Sequence, residues 1–343
     1  MRIVLVGETH HGSRTPQRAR ALRDLGHEVV AIGTMPEGWD HESRPGIIDR
    51  ILYRLRLPWD RSGAGRKMAV AAAGADLIIL DNARAIRPDN LYAAKRAAPG
   101  IRIIWFSEDD MLNPIHRSRW TERSLGLFDL CVTTKSFNAE RGELPALGAR
   151  RVAFVNNTYC PHEHRSISVT EDEKIRWGAP VSFVGTFESP RAGMVLGLAR
   201  AGVSVRVWGN GWARMRGENP QLTIENRPVY GDDYRRVVAA SAINLCFLRH
   251  ANRDRQTCRS IEIPAMGGFM LHEHSEEMAA LIAPDREAAY FWNAGDLIDR
   301  CRGWLESPAR VAVAAAGHRR VIEGGFSHEA RWREILDQAM GVS

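Results

Sequence analysis

Short apolar runs, each followed by a stretch of helical periodicity, recur along the whole chain, and this alternation restricts the fold more than any other feature. "RIVLVG" reads as a buried strand, "TPQRARALRDLGH" as a helix ended by Gly26, and "EVVAIG" as the next strand. "ADLIIL", a helix near 89–97, "IRIIWFS", "DLCVTT" and "RVAFVNN" continue the series. Continuous apolar strands separated by helices are the mark of βαβ units, in which a parallel sheet is covered on both faces. A second alternating series begins at "VSFVGT" and runs through a helix near 190–201, "VSVRVWGNG", "YRRVVAAS", "AINLCFL" and "GGFMLHE" to helices from about 296 onward. At 343 residues the chain has the length of two such domains.

The expected fold class is therefore α/β, with two Rossmann-like, doubly wound domains facing a central cleft. Expected boundaries are 1–157 for an N-terminal domain and 181–325 for a C-terminal one. Residues 158–180 are polar, carry "CPHEHR" and lack clear periodicity, so they read as a linker; residues 326–343 read as a terminal helix returning to the first domain. The run "AVAAAGADLIIL" is interrupted by Gly and Asp and falls short of the roughly 18 apolar residues that a membrane span requires. The opening "MRIVLVGETHHG" reads as a strand rather than a signal peptide, and a cytoplasmic location is expected. Five scattered cysteines without a C-x-x-C pair argue against a zinc ribbon or disulfide scaffold. The net charge of +6 reflects either a general arginine bias or attraction to anions. Those anions would be ligand phosphates, an acidic membrane surface met by peripheral association, or nucleic acid. No dedicated protein partner is indicated.

In doubly wound sheets ligands gather where the strands end, so the loops after strands carry the candidate site. "GETHHGSRTP" follows the first strand. Gly12 permits a tight turn, Ser13 or Thr15 could cap the helix that follows, and His10 and His11 are candidate bases or simply surface histidines. The loop is not G-x-G-x-x-G, and no acid ends the second strand, so a nicotinamide cofactor is weakly supported. "WFSEDDMLNP" places Glu108, Asp109 and Asp110 after a strand, where they would orient an acceptor hydroxyl, act in catalysis, cap a helix or bind a metal. In "FVGTFESPR", Gly185 allows close backbone approach, Thr186 offers a hydroxyl and Arg191 a planar fork for phosphate oxygens.

The stretch "NRDRQTCRSIEIPAMGGFML" combines these demands. Arg259 and Glu262, at i and i+3, would share a helix face. A carboxylate can accept two hydrogen bonds from a ribose diol while the arginine meets a diphosphate, as a sugar nucleotide requires. A buried Arg–Glu pair that fixes the helix is the competing reading. Gly267 and Gly268 allow a tight exit into the next strand, and Pro264 shortens or bends the helix.

"TCRSIEIPAMGGFMLHEHSEEMAALIAPDREAAYFWNAGDLI" resembles the C-terminal domain of CgeB-like glycosyltransferases, the spore-coat-maturation type within the GT-B fold. That pattern has an arginine, then Glu-Ile-Pro-Ala, Gly-Gly-Phe and an apolar strand, then a Glu-Ala-x-x-Phe segment, here Glu287, Ala288 and Phe291. "VSFVGTFESPR" and "GHRRVIEGGFSHEARWREIL" are similar to its opening strand and closing helices, and the first half matches more loosely. The resemblance implies sugar transfer from a nucleoside-diphosphate sugar to a hydroxyl acceptor (glycan, small molecule, protein or DNA) with no cofactor and no catalytic metal. It implies that Glu262 binds the donor ribose and that Arg259 and Arg191 neutralise the diphosphate. Asp254 stands eight positions before Glu262, where related retaining families carry a glutamate. Inversion would require a base in the first half, with His11 and Asp110 the candidates; retention would not. Transfer to modified DNA, a sugar-nucleotide epimerase and a non-catalytic sugar-nucleotide-binding protein are the alternatives.

Overall fold

A computed structural model describes residues 1–39, 43 and 46–341. The chain divides into two compact units, Met1–Asn156 with His328–Ser343, and Asn157–Ser327.

The first unit holds six strands: β1 (Arg2–Gly7), β2 (Glu28–Gly33), β3 (Leu77–Asp81), β4 (Arg102–Ser107), β5 (Leu130–Thr133) and β6 (Val152–Phe154). They form one parallel sheet in the order β2-β1-β3-β4-β5-β6. Ile3 through Val6 and Leu77 through Leu80 are almost wholly buried because helices cover both faces. On one face the side chains of Ala64, Met68, Leu91 and Ala94 pack on the sheet; on the other lie Ala19 and Leu22 with Trp332 and Ile335. The last two belong to the helix His328–Met340, which packs beside the helix Thr15–Asp24.

The second unit repeats the plan with β7 (Val181–Val184), β8 (Val205–Trp208), β9 (Leu222–Ile224), β10 (Ile243–Cys246), β11 (Met270–Glu273) and β12 (Ala289–Phe291). Its parallel sheet has the order β12-β11-β10-β7-β8-β9. The sequence reading did not mark β9 and β12 as strands. Each is three residues long and lies at a sheet edge, too short for a periodic signal. The stretch read as a linker is part of this unit: Glu171–Trp177 is a helix with a Thr170–Glu173 capping box. Its buried Trp177 stacks on Trp208, with ring centroids 5.4 Å apart.

Both sheets reverse direction once. In the first, successive strands depart in opposite directions from β1, which leaves a crevice between the ends of β1 and β3; in the second, the same reversal lies between β7 and β10. Such switch points are where connections diverge and leave room for a ligand at the carboxyl ends of the strands.

Candidate active site

At the β7/β10 switch point the loops after β7 and β8 are stitched together through glycine. Gly185 donates its N–H to the Trp208 carbonyl at 2.8 Å, and its own carbonyl accepts the Trp212 indole N–H at 2.8 Å. A Cβ on Gly209 would lie 2.1 Å from the Gly185 carbonyl oxygen, so this approach excludes any side chain there, and its φ of +141° favours glycine independently. Thr186 is exposed at the tip of this turn.

The helix Ser189–Arg200 then starts without a side-chain cap, with Arg191 in its first turn. A cation there opposes the helix dipole, whose positive end lies at the N-terminus. Arg191 is nevertheless only 5% exposed, lies over the Phe183 ring, and its Nε is buried with no hydrogen-bond partner among the described residues. Burial pushes its pKa below the ordinary value; Glu188, 3.7 Å away, opposes that shift, and the neighbouring charges of Arg259 and Arg249 add to it. Arg249, in the loop after β10, also binds Glu188, from Nε to Oε1 at 2.7 Å. Glu188 is thus the one carboxylate acting on Arg191, against the two guanidinium groups of Arg249 and Arg259. Arrangements of this kind are complementary to a polyanion that brings several acceptor oxygens.

Arg259 opens the helix Arg259–Ala265. The helix is anchored on the sheet through Ser260, whose Oγ lies 2.7 Å from His272 Nε2 and 3.8 Å from Cys246 Sγ. Cys246 and His272 are register partners on β10 and β11, and all three side chains are buried. Despite burial, which disfavours both charged forms, their mutual attraction lowers the Cys246 pKa and raises that of His272. This anchor escaped the sequence reading; the signal was a polar residue at the end of each of two adjoining apolar strands.

Glu262 is 3% exposed. Its Oε2 accepts from the Tyr234 hydroxyl at 3.4 Å, and its Oε1 lies 3.8 Å from His164 Nε2. His164 Nδ1 accepts the Cys160 N–H at 3.0 Å, which leaves the proton of the neutral ring on the nitrogen facing Glu262. Tyr234 also lines a crevice with Arg259, so it joins the two predicted donor residues. Asp254 is engaged in its own loop, accepting from the Arg249 N–H at 3.2 Å and the Asn252 amide at 2.7 Å. Gly267 has φ +78° and reverses the chain, while a Cβ on Gly268 would meet Val238 Cγ1 at 2.4 Å. Both glycines thus serve the exit into β11. Pro264 sits in the last turn of the helix, and its carbonyl accepts from His318 Nδ1 at 3.0 Å.

In the first unit the β1/β3 switch point holds a buried ion cluster rather than a capped helix. Neither Ser13 nor Thr15 caps the helix Thr15–Asp24, whose cap position is Arg14 with no side-chain cap bond. Ser13 Oγ lies 2.7 and 2.6 Å from the Glu8 and His10 carbonyls, closing the loop, and Thr15 donates to Asp81 at 2.7 Å. Arg18 Nη1 binds Asp81 Oδ1 and its Nη2 binds Glu108 Oε1, both at 2.6 Å. Burial works against the Arg18 charge, but the two carboxylates outweigh it and raise its pKa. Gly12 takes φ +81°, His10 is half-buried and His11 exposed. Asp109 accepts from the Asn82 amide at 3.3 Å. Asp110 is 3% exposed and accepts from the Leu112 N–H at 3.0 Å and the Asn138 amide at 3.1 Å, so it is tied into its turn.

Residues 191–337 match the model of a family described as glycosyl transferase-like. No curated protein matches the chain in sequence. Solved structures match over nearly the full length. Sucrose-phosphate synthase from Thermosynechococcus elongatus is 13% identical, with 100% of both chains covered and a TM-score of 0.67. An alpha-glucosyltransferase in complex with UDP and a 13-mer DNA is 12% identical, with 99% of each chain covered and a TM-score of 0.66. Anabaena HepE in complex with UDP and glucose is 12% identical, with 98% of this chain and 100% of that chain covered and a TM-score of 0.62. The chain thus carries the fold of these GT-B glycosyltransferases, two parallel-sheet Rossmann-like domains, along its whole length, and its residues 191–337 resemble a glycosyl transferase-like family.

Proposed function

We propose that the protein moves a sugar from a nucleoside-diphosphate sugar to a hydroxyl acceptor, without a metal, and that Arg191, Arg249 and Arg259 receive the diphosphate leaving group. The observation that carries this reading is Arg191: a buried guanidinium in the first turn of a helix, with an unpartnered Nε and two further arginines acting on it. The bond from the anomeric carbon to the phosphate oxygen breaks as the bond to the acceptor oxygen forms. Negative charge grows on the diphosphate, and fixed guanidinium groups stabilise it there. Glu262, one helical turn from Arg259, is proposed to accept the ribose hydroxyls. In the CgeB-like subtype the same residues would carry these roles.

The acceptor proton leaves by one of two routes. If the reaction inverts the anomeric centre, the exposed His11 is the better base, because Asp110 is committed to its turn. If it retains the centre, the departing phosphate oxygen takes the proton. NMR of the product anomer, compared with the donor, decides between them.

UDP-sugars are the first donors to test, since HepE and the alpha-glucosyltransferase both bind UDP. The expected result is transfer or slow donor hydrolysis with at least one member of a nucleotide-sugar panel, undiminished by EDTA. Complete loss of activity on chelation, restored by a divalent ion, would overturn the metal-free reading. The net charge of +6 favours one further acceptor, a hydroxyl of modified DNA. Affinity for DNA that falls steeply with salt supports it, and absence of a gel shift at low salt removes it.

A further inference from the structure

The helix Ile47–Arg54 in the first unit turns its apolar face outward. Ile47, Ile48, Ile51 and the adjoining Leu55 are 68%, 60%, 51% and 49% exposed, and none of the eight helical residues is buried. At about 100° per residue these four form a single stripe. Asp49 and Tyr53 take the opposite side and Arg50 and Arg54 flank the stripe, and all four line a pocket with Trp39 and Trp59. The apolar stripe thus faces water instead of the core, although Arg50, Tyr53 and Arg54 are exposed as well. Four exposed aliphatic side chains on one short helix are a cost in water that a partner surface would remove.

Charge and edge chemistry indicate which surface. Asp49 is taken up by Arg61 at 2.7 Å, whereas Arg50 and Arg54, beside the apolar stripe, have no ion-pair partner among the described residues. Tyr53 and Trp59 are half-exposed next to them, and amphipathic rings of this kind suit the boundary between headgroups and acyl chains. Ile115 extends the patch: it is 56% exposed, and its carbonyl accepts from Arg84, whose guanidinium lies over the Tyr53 ring.

We propose that the Ile47–Leu55 face docks on an anionic lipid surface, with the isoleucines entering the acyl boundary and Arg50 and Arg54 meeting headgroup phosphates. This does not depend on the identity of the donor or on the arginine cluster of the second unit. Co-sedimentation of the full chain with vesicles tests it. Binding to phosphatidylglycerol-containing vesicles is expected, with little to vesicles of phosphatidylcholine alone, and it should weaken as salt rises. Ile48→Glu with Ile51→Glu should abolish binding and leave the thermal midpoint and donor turnover in solution unchanged, because both residues are exposed. Arg50→Gln and Arg54→Gln should each weaken it by about fivefold. Wild-type protein that stays in the supernatant with anionic vesicles at low salt overturns the proposal. So does light scattering that shows a stable dimer abolished by the same glutamate pair.

Discussion

Replacing Arg191 by methionine separates the two things a buried arginine can do. If Arg191 were a structural strut, its loss would remove a strong ion pair and leave a buried acid uncompensated, at a cost of about 3–5 kcal/mol. Its one acidic neighbour in the cluster, Glu188, is 3.7 Å away and already holds Arg249 at 2.7 Å, so little pairing is lost. Arg191 is also desolvated and beside two like charges, which lowers its pKa. The sign follows: the folded state disfavours the charged form, so an uncharged side chain of similar length relieves a penalty. Arginine remains protonated in both folded and unfolded states near neutral pH, and this relief is therefore the same across that range. The ligand-free variant should be as stable as wild type or more stable by about 1 kcal/mol. Ligand binding should move the other way. Loss of one charge-assisted hydrogen-bonding group to a diphosphate is worth about 1.5–3 kcal/mol, or roughly 10- to 100-fold in Kd. Urea unfolding without ligand and calorimetry with UDP or whichever nucleoside diphosphate binds wild type give the two numbers. A nucleotide Kd within twofold of wild type, or a ligand-free stability several kcal/mol lower, would refute the reasoning.

Glu262→Gln keeps the size of the side chain and an acceptor for the Tyr234 hydroxyl but removes the charge; it should raise donor KM by about tenfold with a near-native thermal midpoint, and unchanged donor binding by calorimetry sinks the ribose role. Gly209→Ala places a Cβ 2.1 Å from the Gly185 carbonyl, which is backbone and cannot rotate away. It should cost about 2 kcal/mol or more in urea unfolding, and a neutral result would mean that the two loops are not pressed together as described. Arg18→Met leaves Asp81 and Glu108 without their shared cation and should destabilise by about 3 kcal/mol. A stability in urea unfolding equal to wild type contradicts this account.

Much of the arginine cluster of the second unit was legible because it follows strands directly. "VSFVG" and "AINLCFL" announce buried strands, and the residues just beyond them lie at the carboxyl edge of the sheet. Arg191 and Arg259 were singled out on that ground and on the resemblance, and the structure brings them within range of each other's charge. Arg249 was missed although it stands one residue past "AINLCFL", because nothing local distinguishes it from the other arginines of the chain. The cluster Arg18–Asp81–Glu108 was missed for a related reason: its members lie on three separate elements, and Glu108 was read together with its sequence neighbours Asp109 and Asp110. Thr15 shows how local reasoning errs. A hydroxyl before a helix reads as a cap, but a buried aspartate across the sheet end claims it first.

By itself the sequence determined the two parallel sheets and the positions of most strands. Those depend on periodicity and apolar content within a few residues, which are local properties. The reversal of strand order in each sheet, and hence which loops meet, was decided by tertiary packing alone. So was the fate of each polar side chain. Asp110 was drawn into a turn, Asp254 into its own loop, and Arg191 was buried without a full partner beside two more arginines. A charge's role depends on what surrounds it in space, and the groups that surround Arg191 come from segments far apart along the chain.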